Sequence, residues 1–208
     1  MKRIVYFAAL LIAVAVATAS CSGGKPQKTI DNLKAAITGE SNASATYLAF
    51  SIQAAQEGLP NITKMFAAAS AAEAIHVKNH NAVLVKLGEE AFTPVVGKPK
   101  VSDTAANLQA AIEGETYEFT EMYPGFIATA KEEKCDDAIP SFTWANDAEA
   151  VHAKLYTQAL NILKSTGSDE TVAQVWYTCP KCGNLFNTIE ELNGCPFCGA
   201  RPASFLKF

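Results

Sequence analysis

The chain has 208 residues, enough for one medium domain with a smaller second one, and 49% of them are apolar, enough to bury a real core. Only 18% are charged and the net charge is −4, so the chain offers an acidic surface with no basic patch. That balance excludes nucleic acid as an expected partner.

Lys2 and Arg3 precede an apolar run from Ile4 to Ala17 that is too short for a comfortable membrane span. Thr18, Ala19 and Ser20 are small and lead directly to Cys21. This order reads as a lipoprotein-type signal peptide over residues 1–20, with Cys21 as the lipidated residue and 21–28 as a flexible tether. Thr18 stands where such signals usually carry Leu, which leaves cleavage by an ordinary signal peptidase as the alternative. The expectation is an exported protein anchored to a membrane by lipid, in a bacterial periplasm or cell envelope. Loss of residues 1–20 leaves 15 basic against 21 acidic residues, a net charge of −6.

The remaining chain contains a repeat. Asn32–Glu40 (NLKAAITGE) returns 75 residues later as Asn107–Glu115 (NLQAAIEGE), and Ala72–Lys78 (AEAIHVK) returns 76 residues later as Ala148–Lys154 (AEAVHAK). Each half reads as a helix pair. The first helix is expected over about 29–57, ending at Gly58-Leu59-Pro60, and the second over about 62–87, with Gly88 as its C-terminal stop. Residues 90–100 carry Pro94, Gly97 and Pro99 and form a long connection. Ser102 or Asp103 caps a third helix that runs to about Lys131 and should be disturbed at Pro124-Gly125. A charged loop follows, then a fourth helix over about 141–164. Two antiparallel hairpins joined by one long crossover describe an all-α ferritin-like four-helix bundle over 29–166.

From Val175 the helical period is gone, and residues 173–208 form a second domain too small to be stable without a staple. Cys179-Pro-Lys-Cys182-Gly and Cys195-Pro-Phe-Cys198-Gly supply it: four thiolates at this spacing make a tetrahedral metal site, for iron or for zinc. Trp176, Tyr177, Phe186 and Phe197 are expected to pack around it. Cys135 lies among acidic neighbours that disfavour its thiolate and is read as incidental, with an intermolecular disulfide as the alternative.

Within the bundle, Glu40, Glu73 with His76, Glu115 with Glu118, and Glu149 with His152 fall in otherwise apolar segments. Each pair is spaced i, i+3, which puts both side chains on one helix face. Buried carboxylates at such positions are costly unless cations offset them. One Glu from each of two helices and Glu-x-x-His from the other two is the known template of ferritin-like di-iron sites, which this order matches. Manganese or mixed metals satisfy the same ligand types. Glu118 has Ala43 as its counterpart in the first half, so the two metals should be inequivalent. His80, whose counterpart is Tyr156, is read as a rim residue.

The motif set GE, AExxH, GExxE, AExxH, CPxCG, CPxCG resembles rubrerythrin over nearly all of the chain after the signal. The resemblance implies that Glu40, Glu73, His76, Glu115, Glu118, Glu149 and His152 are both the di-iron ligands and the catalytic residues. It implies that Glu73 and Glu149 bridge the irons and that one iron shifts between Glu118 and His76 with redox state. It implies that Tyr47 and Tyr123 hydrogen-bond ligand carboxylates. It also favours iron, over zinc, at Cys179, Cys182, Cys195 and Cys198 of a rubredoxin-like domain. The activity implied is peroxide reduction in a head-to-tail homodimer, with one subunit's rubredoxin-like domain facing the partner's bundle. The alternatives are a ferroxidase or oxidase on the same site, and a non-catalytic iron-binding electron-transfer lipoprotein. No nicotinamide or flavin motif is present, and an export signal puts cytoplasmic NAD(P)H-linked donors out of reach, so the sequence does not name the electron donor.

Overall fold

The structure is a computed structural model that describes residues 24–208. Residues 1–20 and Cys21, read as signal and lipidation site, lie outside the described residues. Among the described residues no helix is long and apolar enough to cross a membrane.

Helices α1 (Gln27–Gln56) and α2 (Pro60–Lys86) form the first hairpin. Small residues let them approach closely: Ser44 Oγ donates to the Ser70 carbonyl and Ser70 Oγ to the Ser44 carbonyl, both at 2.8 Å. α2 ends where Gly88 takes φ +81°, so that the Glu89 and Gly88 amides close back on the Leu84 and Val85 carbonyls. The crossover to α3 is held by side chains rather than by its own backbone. Asn81 brackets Phe92, and Asn42 Oδ1 accepts from the Gly97 amide at 2.8 Å. Asp103 caps α3 (Thr104–Tyr117) by accepting from the Ala106 amide at 2.8 Å.

The third helix is not a kinked α-helix. A π-helical turn over Glu118–Met122 separates α3 from α4 (Tyr123–Glu132), and the Tyr123 amide donates to the Glu118 carbonyl five residues back. Pro124 has no amide to continue an α-helical ladder, and the wider turn accommodates it. The turn also accounts for the change of repeat offset. Glu40 and Tyr47 are seven apart, whereas Glu115 and Tyr123 are eight apart. One additional residue in a helix is absorbed as a π-turn. Residue i+5 of a regular α-helix points about 140° away from residue i. The wider turn brings Tyr123 back towards the face of Glu118, where it is fully buried.

α5 (Ile139–Thr166) completes the bundle, and Gly167 ends it with φ +69°. Cys135 is buried at the α4–α5 corner, in a cluster with Tyr123, Ala138 and Phe142. Beyond the bundle, strands β1 (Tyr177–Thr178), β2 (Leu185–Phe186) and β3 (Leu206–Lys207) make a small antiparallel sheet in the order β2-β1-β3.

This second unit is seated on the bundle of its own chain. Asp169 Oδ2 accepts from the Asn61 and Ile62 amides at 2.7 and 2.9 Å, satisfying the start of α2 from the linker. Thr178 Oγ1 donates to the Ala68 carbonyl at 2.9 Å. Trp176 differs from expectation: it packs into the bundle core with Val172 and Leu185 rather than around the cysteines. Tyr177, Phe186 and Phe197 do surround them. Trp176 precedes β1 at the seam, where the larger apolar surface is the bundle's.

Asp169→Ala should destabilise the chain by about 1–2 kcal/mol through loss of this cap. Asp169→Asn, which still accepts, should cost less. Urea unfolding of the two variants checks the order.

Candidate di-iron and tetrathiolate sites

The four long helices bring Glu40, Glu73, His76, Glu115, Glu149 and His152 to one point in the bundle interior, each at most 1% exposed. Their ligand atoms form two groups, Glu40/Glu73/His76/Glu149 and Glu73/Glu115/Glu149/His152, with every atom in a group within 4.8 Å of the others. Glu73 and Glu149 belong to both. Glu73 turns Oε2 to His76 Nδ1 at 2.9 Å and Oε1 to His152 Nδ1 at 3.4 Å. Glu149 does the same with Oε1 at 2.9 Å and Oε2 at 2.8 Å.

The pattern of unsatisfied atoms tests whether metal fits. Both oxygens of Glu73 and of Glu149 are buried without a hydrogen bond, and so are Nδ1 of His76 and of His152. Glu40 and Glu115 each leave only Oε2 unsatisfied. Their Oε1 atoms are held by tyrosines: Tyr47 donates to Glu115 at 2.6 Å, and Tyr123 donates to Glu40. So two central carboxylates present two lone oxygens each, two outer ones present one each, and two imidazoles present one nitrogen each. Bridging carboxylates, terminal carboxylates and neutral imidazoles are the donor set of a pair of hard-to-borderline cations.

The imidazoles are aimed from outside. His76 Nε2–H donates to the Cys182 carbonyl at 3.0 Å, and His152 Nε2–H donates to the Gly183 carbonyl at 3.3 Å. A carbonyl can only accept, so Nε2 carries a proton in each ring, and the neutral form presents its Nδ1 lone pair to the cluster. Asn79 Nδ2 adds a donor to the Lys181 carbonyl at 2.8 Å. Gly183 sits with φ +78°, and a Cβ there would run into the His76 ring. Gly199, at the same place in the other knuckle, has φ +72° and open space around it.

Glu118 is half-buried and stands outside both groups, with its Oε1 beside Gly39. Of the alternative pair Glu118 and His76, the structure holds His76 at the cluster. His80 is not on a rim: it is fully buried. It lies one turn after His76, and that spacing was the available signal that it faces inward. Nothing in the sequence marked Ser141, or the Cys182 and Gly183 carbonyls, as parts of the site.

Cys179, Cys182, Cys195 and Cys198 converge as a third group. Their Sγ atoms approach to 3.5 Å (Cys179–Cys198) and 3.4 Å (Cys182–Cys195). Those separations are far beyond a disulfide and close to the roughly 3.8 Å edge of a tetrahedron with 2.3 Å metal–sulfur bonds.

The metal-free electrostatics show what a cation relieves. Burial, then repulsion from Glu149 and Glu73, pushes Glu40 well above the usual carboxylate range, and the same causes bring Glu115 up to about 8. Burial and Glu40 raise Glu118. Burial would raise Glu149 too, but His76 and His152 outweigh it and hold that carboxyl at about 2. Burial would lower both imidazoles, yet Glu149 outweighs it and keeps them well above their usual value. Burial and neighbouring carboxylates keep the Tyr47 and Tyr123 hydroxyls protonated as donors.

Residues 31–160 match the family described as Rubrerythrin. Nigerythrin of Nitratidesulfovibrio vulgaris is 37% identical over 170 residues, covering 82% of this chain and 81% of its own. Rubrerythrin-2 of Clostridium acetobutylicum is 37% identical over 188 residues, covering 88% and 98%. A structure titled as the fully reduced, all-ferrous state of nigerythrin superposes with a TM-score of 0.75 at 32% identity, covering 100% of both chains. A Desulfovibrio desulfuricans bacterioferritin, at 20% identity and TM-score 0.66 over 72% of this chain and 87% of its own, shares the fold. The fold is ferritin-like with a C-terminal four-cysteine cluster, and the two carboxylate groups and the cysteines fit the iron sites of the matched family.

Without metal, the folded chain holds protons on Glu40, Glu115 and Glu118 that the unfolded chain releases near the ordinary carboxylate value of 4.5. Its stability is therefore greatest below that pH and falls as pH rises towards about 8, where Glu115 ionises in the folded state. The raised imidazoles add a slope of the same sign. Glu149, at about 2, acts only below 4.5 and in the opposite sense. Metal-loaded protein has already lost the protons of Glu40, Glu115 and the imidazole Nδ1 atoms, so its stability should rise with pH instead. Urea unfolding between pH 5 and 8 should give opposite slopes for chelated and loaded protein; parallel slopes would mean that these carboxylates hold no metal.

Proposed function

The chain belongs to the rubrerythrin family, and from that premise we propose that it is a peroxide reductase, taking hydrogen peroxide, two electrons and two protons to two waters. The observation that carries the reading is the pair of hydrogen bonds from His76 and His152 to the Cys182 and Gly183 carbonyls. They join the two metal-binding clusters through one bonded path: thiolate, Cys182 backbone, hydrogen bond, imidazole. Iron held at the two clusters supplies one-electron redox chemistry, and at the carboxylates Lewis acidity as well. The metal ligands of the reading are Glu40, Glu73, His76, Glu115, Glu149 and His152, with Glu118 as the alternative ligand to His76. Glu73 and Glu149, which belong to both groups, would be shared by the two metals. Tyr47 and Tyr123 hold protons against the outer carboxylates and keep those carboxylates in single orientations. The buried walls around the cluster exclude bulk water from it.

The expected head-to-tail arrangement put the cysteine knuckles on a partner's bundle. In this structure the knuckles also meet the bundle of the same chain, which offers a path within one subunit. A homodimer remains part of the proposal, supported by the exposed apolar Leu48 and Ile52, one turn apart on α1. Export and a lipid anchor at Cys21 also remain part of it, supported by the order of residues 1–21.

The test is rapid mixing of anaerobically reduced, iron-loaded protein with hydrogen peroxide or with dioxygen, following the visible thiolate-to-iron absorption. Return of that absorption faster with peroxide than with dioxygen is expected. Faster return with dioxygen favours a ferroxidase or oxidase, slow return with both favours an electron carrier, and zinc at the cysteines removes the relay. Gly183→Ala and Gly199→Ala impose the same backbone strain, but only the first drives a Cβ into the His76 ring. Gly183→Ala should slow this re-oxidation about tenfold or more relative to Gly199→Ala.

A further inference from the structure

His80 is fully buried inside the bundle, and neither the ligand set nor the electron path uses it. Its Nε2 lies 3.1 Å from the Tyr123 hydroxyl, and its Nδ1 lies 2.8 Å from Ser141 Oγ. Tyr123 in turn donates to Glu40 Oε1. The four groups form one unbranched chain from the first turn of α5 to an outer carboxylate of the metal site.

The chain has a direction. A metal-bound carboxylate can only accept, so the single Tyr123 proton points at Glu40. The Tyr123 oxygen must then accept from His80 Nε2–H, which leaves Nδ1 as a lone pair accepting from the Ser141 hydroxyl. Burial, with repulsion from His76, keeps this imidazole neutral by pushing its pKa down to about 3. The repeat supplies an internal control. Tyr156 occupies the position equivalent to His80, and among the described residues its buried hydroxyl has no hydrogen-bond partner and Tyr47 donates to Glu115 with no donor behind it.

We propose that His80 is a positioning residue of the metal site: with Ser141 behind it, it fixes Tyr123 as a permanent donor to Glu40 Oε1, leaves Oε2 for the metal, and so makes the Glu40 half of the site electronically distinct from the Glu115 half. This rests on the reading of Glu40 as a ligand. A hydrogen bond to Oε1 draws negative charge off the carboxylate, and a donor behind the tyrosine strengthens that bond. Loss of either makes Glu40 a stronger anionic donor, favours the ferric state and lowers the reduction potential of the bundle iron.

The first measurement is the histidine tautomer, from long-range proton–nitrogen correlation spectra of nitrogen-15 histidine-labelled full chain loaded with zinc as a diamagnetic stand-in. His80 should carry its proton on Nε2 with Nδ1 as acceptor; the Nδ1–H tautomer or an imidazolium overturns the proposal. The second is the reduction potential of the iron-loaded bundle in His80→Phe, Tyr123→Phe and the double variant. Both single variants should lower it, the double no further than Tyr123→Phe alone, and His80→Gln should restore it because its amide N–H reaches the Nε2 position. Additive shifts, or a shift in Tyr123→Phe with none in His80→Phe, overturn the proposal. Iron content of the unaltered chain separates the two levels: a bundle that does not take two irons refutes the ligand reading, whereas two irons with the wrong tautomer refute only the role of His80.

Discussion

Six ionisable side chains meeting in the dry centre of a helical bundle is the constraint on which the rest of this structure turns. Carboxylates there cost several kcal/mol each unless their charge is met. The arrangement answers with an ordered division of the oxygens. Hydrogen bonds satisfy one oxygen of each outer carboxylate and none of the central ones. What is left over on Glu40, Glu73, Glu115 and Glu149 is the shape of two cation sites sharing two bridges. Without a cation the central oxygens have only the two imidazoles to meet, Glu73 and Glu149 each lying against His76 and His152 Nδ1.

The second unit takes part in that order. Its knuckle glycine lies against His76, and two of its carbonyls set the tautomer of both cluster imidazoles. The tetrathiolate cluster is thus a structural partner of the carboxylate cluster as well as its neighbour. Asp169 and Thr178 hold the linker and β1 to α2, so the contact is backed by bonds away from the metals.

The near-twofold repeat gives a symmetric frame, and the π-turn breaks it. One additional residue between Glu115 and Tyr123 is absorbed at Glu118–Met122, beginning at the carboxylate that stands against Ala43 of the first half. The two tyrosines still reach across the frame, Tyr47 to Glu115 and Tyr123 to Glu40. Only the second has an imidazole and a hydroxyl behind it.

Much of this was legible in the sequence, because helical periodicity and repeated i, i+3 pairs are local facts. They determined the four-helix bundle, the two Glu-x-x-His pairs, the two GE segments and the thiolate quartet. Three things needed the tertiary structure. Trp176 is near the cysteines in sequence, but it is buried in the larger apolar cluster of the bundle. His80 has a tyrosine as its repeat partner, and repeats say nothing of what faces a side chain from another helix. The docking of the cysteine knuckle on its own bundle rests on backbone carbonyls, which every residue possesses and no sequence pattern distinguishes. Sequence determines which side chains share a helix face; only packing decides what that face meets, because contacts between distant segments are made by shape and by backbone groups common to all residues.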